Sequence, residues 1–596
     1  MKYSDQVIDW LAEDGYTHCF FVAGGNIMHL LDSVRSRLVC VPFVNEIGAA
    51  IAAEYFTEAS DHSRSKAFVL VTAGPGLTNT ITAMASAWAE SRELLVIGGQ
   101  VKSSDLAKSQ LRQKGIQEVD GISITKSFTK ARLQVSAPVS KGVFLDVIRQ
   151  GSAPRKGPVF IEITLDAQGA PGMLDESLSP PGAVAAKLSN SSELKSTLDL
   201  LLESQRPVFL IGSGLARDSA LALSELLDSV GVPVMLTWNA ADRFPSNYRL
   251  NFGRPNTWGQ RYSNVLLQQS DLVIAVGTRL GLQQTGFAWE EFVPNGKVVH
   301  VDIDLSELEK EHPKKELRIQ ADAGTFLRQL LSNEVVFPDF SDWLTFCEDV
   351  RKLLPLSEQV NATASPYVNP YELMLEISDV AQEGDLIIPS SSGSSFTVAM
   401  QTFKLKAKQK MISNKGLASM GYGLSGSIGA SLSDSNATTW LFEGDGGFAQ
   451  NLQELGTVAA QKLNLKMFVL ENGGYASIRM TQKNYFDGAW VGCDAATGLG
   501  LPDLKKLSDT YNIPHIKLSA VLEERLGQLR WVSSHLGPLL VEVPIDPEQK
   551  YFPKISSKVT ASGAMQSNPL HLMDPKLKSD VEDSVFRYIK KKVSET

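Results

Sequence analysis

Residues 440 to 478, WLFEGDGGFAQNLQELGTVAAQKLNLKMFVLENGGYASI, place a carboxylate, an amide and several glycines at the ends of two apolar runs. Continuous runs such as WLFEG and MFVLE read as strands covered on both faces. If they lie side by side, Asp445 after the first and Asn472 after the second bring a carboxylate and an amide oxygen to one crevice. Gly444, Gly446 and Gly447 allow a sharp turn and a close backbone approach to a ligand. Phe448, Leu452, Leu455 and Ala459 repeat at helical spacing and predict one helix behind that turn, its positive end facing the crevice. Magnesium favours few protein oxygens and leaves coordination positions to phosphates. The chemistry predicted is therefore a diphosphate held through Mg2+. A lone Gly-Asp-Gly is more often a plain turn; the helix, the strand and the Asn-Gly-Gly that follow make this one more specific.

The elements that must position these residues recur along the chain. AFVLVTAGPG (67 to 76), LLVIGGQ (94 to 100), VFLIGSG (208 to 214), LVIAVGT (272 to 278), VVHVDID (298 to 304) and LIIPSSS (386 to 392) are further short apolar runs ending in small or polar residues before a helical pattern. This is the rhythm of βα units in parallel sheets. With 596 residues the chain has room for about three or four domains. Polar, Pro-rich stretches at 167 to 195 and from 337 to 370 read as linkers, giving domains at 1–170, 190–335 and 366–550 and a lysine-rich tail at 551–596. A net charge of -9 opposes a nucleic-acid partner. Four scattered cysteines suit a reducing, cytoplasmic compartment, and no run approaches the ~20 apolar residues of a membrane span. A soluble protein with no membrane partner is expected.

The 440 to 478 stretch resembles thiamine diphosphate (ThDP) enzymes, whose signature joins Gly-Asp-Gly to a later Asn. The resemblance implies that Asp445, Asn472 and the carbonyl of Gly474 bind Mg2+, with Gly444, Gly446, Gly447, Tyr475 and Ala476 lining the diphosphate. Many relatives have Asn-Asn where this chain has Glu471-Asn472; the second Asn is the usual ligand. The family also needs a carboxyl group at N1' of the aminopyrimidine, in an apolar setting that raises its pKa. Glu46, in VPFVNEIGAAIAAEYFTEAS (41 to 60), ends a strand-like run and opens an Ala-rich helix. Alone it would read as a carboxylate facing a helix dipole; beside the ThDP signature the resemblance implies that it is the catalytic Glu. By the same resemblance Thr72, Gly74, Pro75 and Asn79 of TAGPGLTN flank the pyrimidine. Ala418 and the wedge Met420 of ASMGYGLSGSIGA hold the cofactor rings, and Gly393, Ser394 and Ser395 meet the diphosphate. Taken singly these are a turn, a core methionine and a Ser-rich loop.

The order of segments is similar to the acetolactate synthase and pyruvate oxidase group. The implied fold is α/β, three doubly wound domains with parallel sheets: pyrimidine-binding, central FAD-type and diphosphate-binding. VAGGNIMHLLD carries the Gly24-Gly25 turn of acetolactate synthases, and Gly25 stands where pyruvate decarboxylases place an acid. The region around Lys114 also lacks their His-His pair. Without these proton donors, carboligation is favoured over release of acetaldehyde. Gln117 and Lys126 resemble residues facing the substrate channel; a surface glutamine and a solvated lysine are the plainer readings. Acetolactate synthases carry a Trp near Thr481, whose loss leaves room for a larger acceptor. Together with GCDAATGLGLPD (492 to 503), FGRPNTWGQRYSN (252 to 264) and SNPLHLMDP (567 to 575), this looks like the branch serving polysaccharide and branched-chain sugar (yersiniose-type) biosynthesis.

In the middle segment Gly212, Gly214, Thr237, Gly277, Thr278, Arg279, Asp302, Asp304 and Asp322 are the positions at which such enzymes hold FAD, the alternative being an empty structural domain. The resemblance thus implies a transferase or lyase using thiamine diphosphate, Mg2+ and FAD. It would be a homo-oligomer, dimer or tetramer, with active sites between subunits. It would take pyruvate and a ketone or aldehyde acceptor such as a nucleotide keto-deoxy-sugar. The rivals are an acetolactate synthase using a second 2-keto acid, a flavin-dependent pyruvate oxidase and a non-catalytic ThDP-binding regulator.

Overall fold

The computed structural model describes residues 1–60, 65–107, 111–173, 190–559 and 565–589. Three parallel sheets form the α/β architecture that the apolar runs predict. The first comprises β1 (Tyr16–Phe21), β2 (Val39–Pro42), β3 (Lys66–Val71), β4 (Leu94–Gln100), β5 (Ala131–Val135) and β6 (Pro158–Thr164), in the order β2-β1-β3-β4-β6-β5. The second holds β7 (Pro207–Ile211), β8 (Val234–Leu236), β9 (Leu272–Val276), β10 (Lys297–Asp302) and β11 (Leu317–Gln320), in the order β11-β10-β9-β7-β8. After β12 (Leu386–Pro389) and the short β13 (Lys410–Met411), the third sheet continues with β14 (Thr439–Gly444), β15 (Leu465–Glu471), β16 (His515–Lys517) and β17 (Leu539–Pro544), neighbours in the order β12-β14-β15-β17-β16.

The strands are apolar throughout because both faces are covered. Successive side chains alternate faces, so Phe68 and Leu70 of β3 join one core with Trp10 and Phe144, whereas Val69 and Val71 join another. That second core also receives Ile388, Leu441, Met467 and Val469 from the third sheet. Two helices lie between. Glu46–Ala59 is capped by Asn45, whose Oδ1 accepts from the Ile47 N–H at 3.1 Å. Tyr422–Ser433 is rich in glycine and buried almost all round. A Cβ on Gly429 would lie 2.0 Å from the carbonyl oxygen of Ala52, and one on Gly426 2.7 Å from the Tyr55 ring. Small residues let the two backbones meet. Buried charge is paired across the same seam: Arg92 donates to Glu54 at 2.9 Å and to the Ser413 carbonyl at 2.8 Å, and the Tyr422 hydroxyl donates to Glu54 at 2.7 Å.

The first and third sheets thereby make one compact unit, Met1–Val184, Asp385–Phe396 and Ile412–Pro547. The other unit, Ala185–Gly384, Thr397–Met411 and Glu548–Thr596, is built on the second sheet. In the stretch from 337 to 370, read as a linker, helix Ser341–Leu353 buries Trp343, Phe346, Cys347 and Val350 in this unit's core. Leu570 and Val585 of the C-terminal segment enter the same core, so that segment is built in rather than trailing. Of the first polar stretch, 174–189 lie outside the described residues, as do 560–564 and 590–596 of the tail. Among the described residues no helix is long and apolar enough to cross a membrane.

One sequence expectation is corrected. The single helix behind Gly447 is broken into Asp445–Phe448, a 310 turn Leu452–Glu454 and Leu455–Gln461. Two glycines weaken its start, and the Asn451 side chain leaves the helix to donate to the Gly421 carbonyl at 2.6 Å. The side chains driven fully inside are Phe448, Leu455 and Val458, while Leu452 and Ala459 are only partly covered.

The helix seam gives a paired stability test. Gly429→Ala must displace backbone, and overpacking of this kind costs about 1 to 3 kcal/mol. Gly527 in helix Leu522–Ser534 meets only the far end of Arg530 at 4.0 Å, so Gly527→Ala should stabilise by up to ~1 kcal/mol through helix propensity. Denaturant unfolding of both variants reads the opposite signs.

Candidate functional site

β14 and β15 are parallel neighbours with Gly444 opposite Leu470, which brings the turns that follow them together. The Asp445 carboxylate then joins the two. Its Oδ1 accepts from the Gly446 N–H at 2.7 Å, and Oδ2 from the N–H groups of Asn472, Gly473 and Gly474 at 3.1, 2.8 and 3.0 Å. The Gly446 donor is thus used by Asp445 itself, so this four-residue helix is not the open anion site that a longer one would be. Burial raises the Asp445 carboxyl above its ordinary value, and the four N–H groups oppose that shift. Arg479 fixes the second turn, donating to the carbonyls of Asn472 at 2.8 Å and Gly473 at 3.2 Å. Two glycines are obligatory: a Cβ on Gly446 would strike the Tyr475 ring at 2.3 Å, and Gly474, at φ +140°, has the Cys493 carbonyl oxygen 2.1 Å from the same position. Tyr475 caps the helix that Ala476 opens.

Two segments flank these turns. In Ser390–Ser395, Gly393 takes φ +59°, Ser394 and Ser395 are buried, and the Ser395 hydroxyl donates to the Ser390 carbonyl at 2.8 Å. In 413 to 424, Ala418 takes φ +55° and donates its N–H to Asn414 Oδ1 at 3.2 Å. The Lys415 and Gly416 N–H groups both donate to Glu90. Met420 is 40% exposed, which removes the core-methionine reading.

On the first sheet, Glu46 sits half-buried at its helix start and Oε2 accepts from Asn79 Nδ2 at 3.0 Å. A Cβ on Gly24 would meet Thr72 at 2.4 Å, so those two turns pack together, while the Cβ position of Gly25 faces open space. Pro75 opens the short helix after Gly74. Gly74, at φ +66°, leaves room for the Gln117 carbonyl, 2.3 Å from its Cβ position. The exposed Gln117 at φ +63° is therefore beside the Gly74 turn, whereas Lys126 lies exposed in the later turn Thr125–Phe128.

Glu454 was not singled out from the sequence. Its carboxylate accepts from the N–H groups of Asn45 at 3.0 Å and Val44 at 3.4 Å, holding the backbone just before Glu46. A Glu in NLQELG looks like any solvated helix residue, so only the fold reveals it.

In the second unit Gly212 donates its N–H to the Val276 carbonyl and Gly214 to that of Gly277, both at 2.9 Å. Cβ atoms on these glycines would lie 2.1 and 2.7 Å from Gly277 backbone, so the glycines serve chain-to-chain packing. Gly277, at φ +61°, donates to the Val301 carbonyl at 2.8 Å, and Thr237 to that of Ile211 at 2.9 Å. The buried Thr278 offers its carbonyl to His300 Nε2 at 2.7 Å, and Arg279 is exposed. Asp302 accepts from the Asp304 N–H at 2.9 Å, Asp304 caps helix Leu305–Glu309, and Asp322 caps Ala323–Leu331. These three acids thus have local backbone roles. The β7–β9 junction, where strand order reverses, is nonetheless where doubly wound sheets open a ligand crevice.

Comparison with known proteins agrees with this layout. The family described as thiamine pyrophosphate enzyme, N-terminal TPP binding domain, matches residues 1–124; its central domain matches 194–330; its C-terminal TPP binding domain matches 391–543. A probable acetolactate synthase large subunit of Methanocaldococcus jannaschii is 27% identical over 92% of this chain and 93% of its own length. The acetolactate synthase isozyme 1 large subunit of Escherichia coli K12 is 26% identical over 92% of the chain and 95% of its own. A chloroplastic acetolactate synthase 1 of Zea mays is 28% identical over 93% and 87%.

Beneath the 115 to 124 loop, Glu162 accepts from Gln134 at 2.8 Å and Gln100 at 3.4 Å, and burial raises its carboxyl from 4.5 to about 7. A raised carboxyl contributes stability below its ordinary value and loses it as pH climbs through the folded one. Glu162 should therefore remove on the order of 3 kcal/mol between pH 4.5 and 7. Unfolding curves across that window should flatten in Glu162→Gln.

Proposed function

Because this chain belongs to the thiamine diphosphate-dependent, acetolactate synthase-like enzymes, we propose that it decarboxylates pyruvate and joins the two-carbon unit to an acceptor carbonyl. The observation that carries the reading is the pair of turns tied at Asp445. Their bonds hold Asp445, Asn472 and Gly474 in adjacent turns, and the Asp445 carboxylate, the Asn472 amide and the Gly474 carbonyl would make a hard oxygen set of the kind magnesium takes. Magnesium would also answer an electrostatic need, since a diphosphate beside the Asp445 carboxylate would otherwise meet like charge.

Bound thiamine diphosphate supplies a carbon nucleophile and a sink for the electrons left when carbon dioxide departs. The chain's own groups do the rest. Glu46 holds a proton at N1' of the aminopyrimidine, and Asn79 orients its carboxyl through the 3.0 Å bond. Met420, exposed to 40% just before the Tyr422 helix, would wedge between the cofactor rings. Gly393, Ser394, Ser395, Gly444, Gly446, Gly447, Tyr475 and Ala476 surround the diphosphate, with Gly24, Gly25, Thr72, Gly74, Pro75 and Ala418 about the rings. Gln117 and Lys126 serve the substrate.

The reading assigns Glu46 to the cofactor held by a second subunit, making the active species a homo-oligomer.

For the acceptor, a nucleotide keto-deoxy-sugar is favoured by the exposed Thr481 and Tyr485 on helix Ala476–Tyr485 and by the exposed Phe486 and Trp490 beyond it. A ring-bearing acceptor larger than a 2-keto acid suits such a surface. The relatives' name favours the second reading, a 2-keto acid acceptor. FAD is assigned to the β7–β9 crevice, near Gly277, Thr278 and Arg279, in a structural role.

Glu46→Gln should lower pyruvate turnover by ~100-fold or more, and Asp445→Ala should abolish Mg-dependent ThDP binding measured by calorimetry. Full turnover in the first, or unchanged affinity in the second, would remove these assignments. Mass analysis of products from pyruvate with 2-keto acids, simple ketones and nucleotide keto-sugars should find the main adduct on the keto-sugar. A 2-keto acid adduct alone would select the second reading.

A further inference from the structure

Glu443, the residue before the Gly-Asp-Gly turn, is fully buried. Three segments converge on its carboxylate. From the Tyr422 helix, whose N-cap Gly421 has no side chain to offer, the Gly423 N–H donates to Oε1 at 3.3 Å and the Leu424 N–H to Oε2 at 3.0 Å. From the loop after β12, the hydroxyls of Ser391 and Ser390 donate to Oε1 at 3.3 and 3.5 Å. From its own turn, Gly447 lies so near that a Cβ there would be 2.0 Å from Ser391 Oγ and 3.2 Å from Glu443 Oε1. On the helix side, a Cβ on Gly423 would be 2.6 Å from Oε2. Ser391 takes φ +67°, a left-handed conformation that is unfavourable for a residue with a Cβ and is kept where neighbours hold it.

Each of the three segments carries residues assigned above to the cofactor: Gly393 to Ser395, Ala418 and Met420, and Gly444 to Gly447. A helix whose cap residue has no side chain leaves N–H groups open and can borrow an acceptor from elsewhere. Here the borrowed cap comes from the strand that ends in the diphosphate turn. We propose that Glu443 is a positioning residue that sets the spacing between the diphosphate loop, the Gly-Asp-Gly turn and the Met420 segment, so that the cofactor meets a preformed pocket.

This rests on the reading of the ThDP site, and the experiment separates the two. Calorimetry of wild type with ThDP and Mg2+ tests the site; Asp445→Ala is the control that removes it. Glu443→Gln keeps the size but turns an amide NH2 toward one set of donors. It is expected to bind ThDP at least tenfold more weakly while its cofactor-free melting temperature stays within a few degrees of wild type. Ser391→Ala should weaken binding severalfold, and the double variant should bind no more weakly than Glu443→Gln alone, because both act through one contact. Affinity within twofold of wild type in Glu443→Gln, or additive losses in the double variant, would overturn the proposal. If Glu443→Gln does not fold, Ser391→Ala decides: severalfold weaker binding at an unchanged melting temperature supports it, and wild-type affinity overturns it. A wild type that fails to bind ThDP overturns the site reading and the proposal together, whereas intact wild-type binding with an unaffected Glu443→Gln overturns the proposal alone.

Discussion

The contact between helices Glu46–Ala59 and Tyr422–Ser433 is the constraint on which the first unit depends. Backbone meets backbone there, with the Gly429 Cβ position 2.0 Å from the Ala52 carbonyl oxygen. This explains why one helix carries alanine at 49, 50, 52 and 53 and the other is interrupted by glycine, despite the propensity that glycine forfeits. The seam also encloses the Arg92–Glu54–Tyr422 group, which is tolerable only while complete, because an uncompensated buried charge costs several kcal/mol. Glu46 begins one helix and Met420 lies two residues before the other. The seam therefore sets where both groups stand.

Acidic side chains in this unit repeatedly bind backbone N–H groups that a loop would otherwise leave open. Asp445 takes four, Glu443 two with two hydroxyls, Glu454 two before Glu46, and Glu90 two before Met420. Part of the surplus of 66 acidic over 57 basic residues is thus internal and structural.

Much of this was legible in the sequence because it is local. Apolar runs ending in glycine marked strands on both sides of the site, and Gly-Asp-Gly with Asn-Gly-Gly marked the turns. Glu46 came from the family's demand for a carboxyl, not from its own neighbourhood. What stayed hidden depends on partners far along the chain. Nothing near Glu454 signals that it will hold Val44 and Asn45, and nothing near Glu443 announces Gly423 and Ser391. The break behind Gly447 was missed for the same reason: the apolar spacing is helical, but Asn451 finds a distant carbonyl at Gly421. In the second unit the glycines at 212, 214 and 277 read as ligand-binding, although packing against one another already requires them.

The central claim is that pyruvate carbon ends in a new carbon–carbon bond. It is tested most directly by a carbon balance on labelled pyruvate with ThDP, Mg2+ and an acceptor mixture, recording carbon dioxide, acetaldehyde, acetate, adduct and oxygen uptake together. The account predicts one adduct per carbon dioxide with no oxygen consumed. Acetaldehyde in step with carbon dioxide, or acetate in step with oxygen uptake, would contradict it.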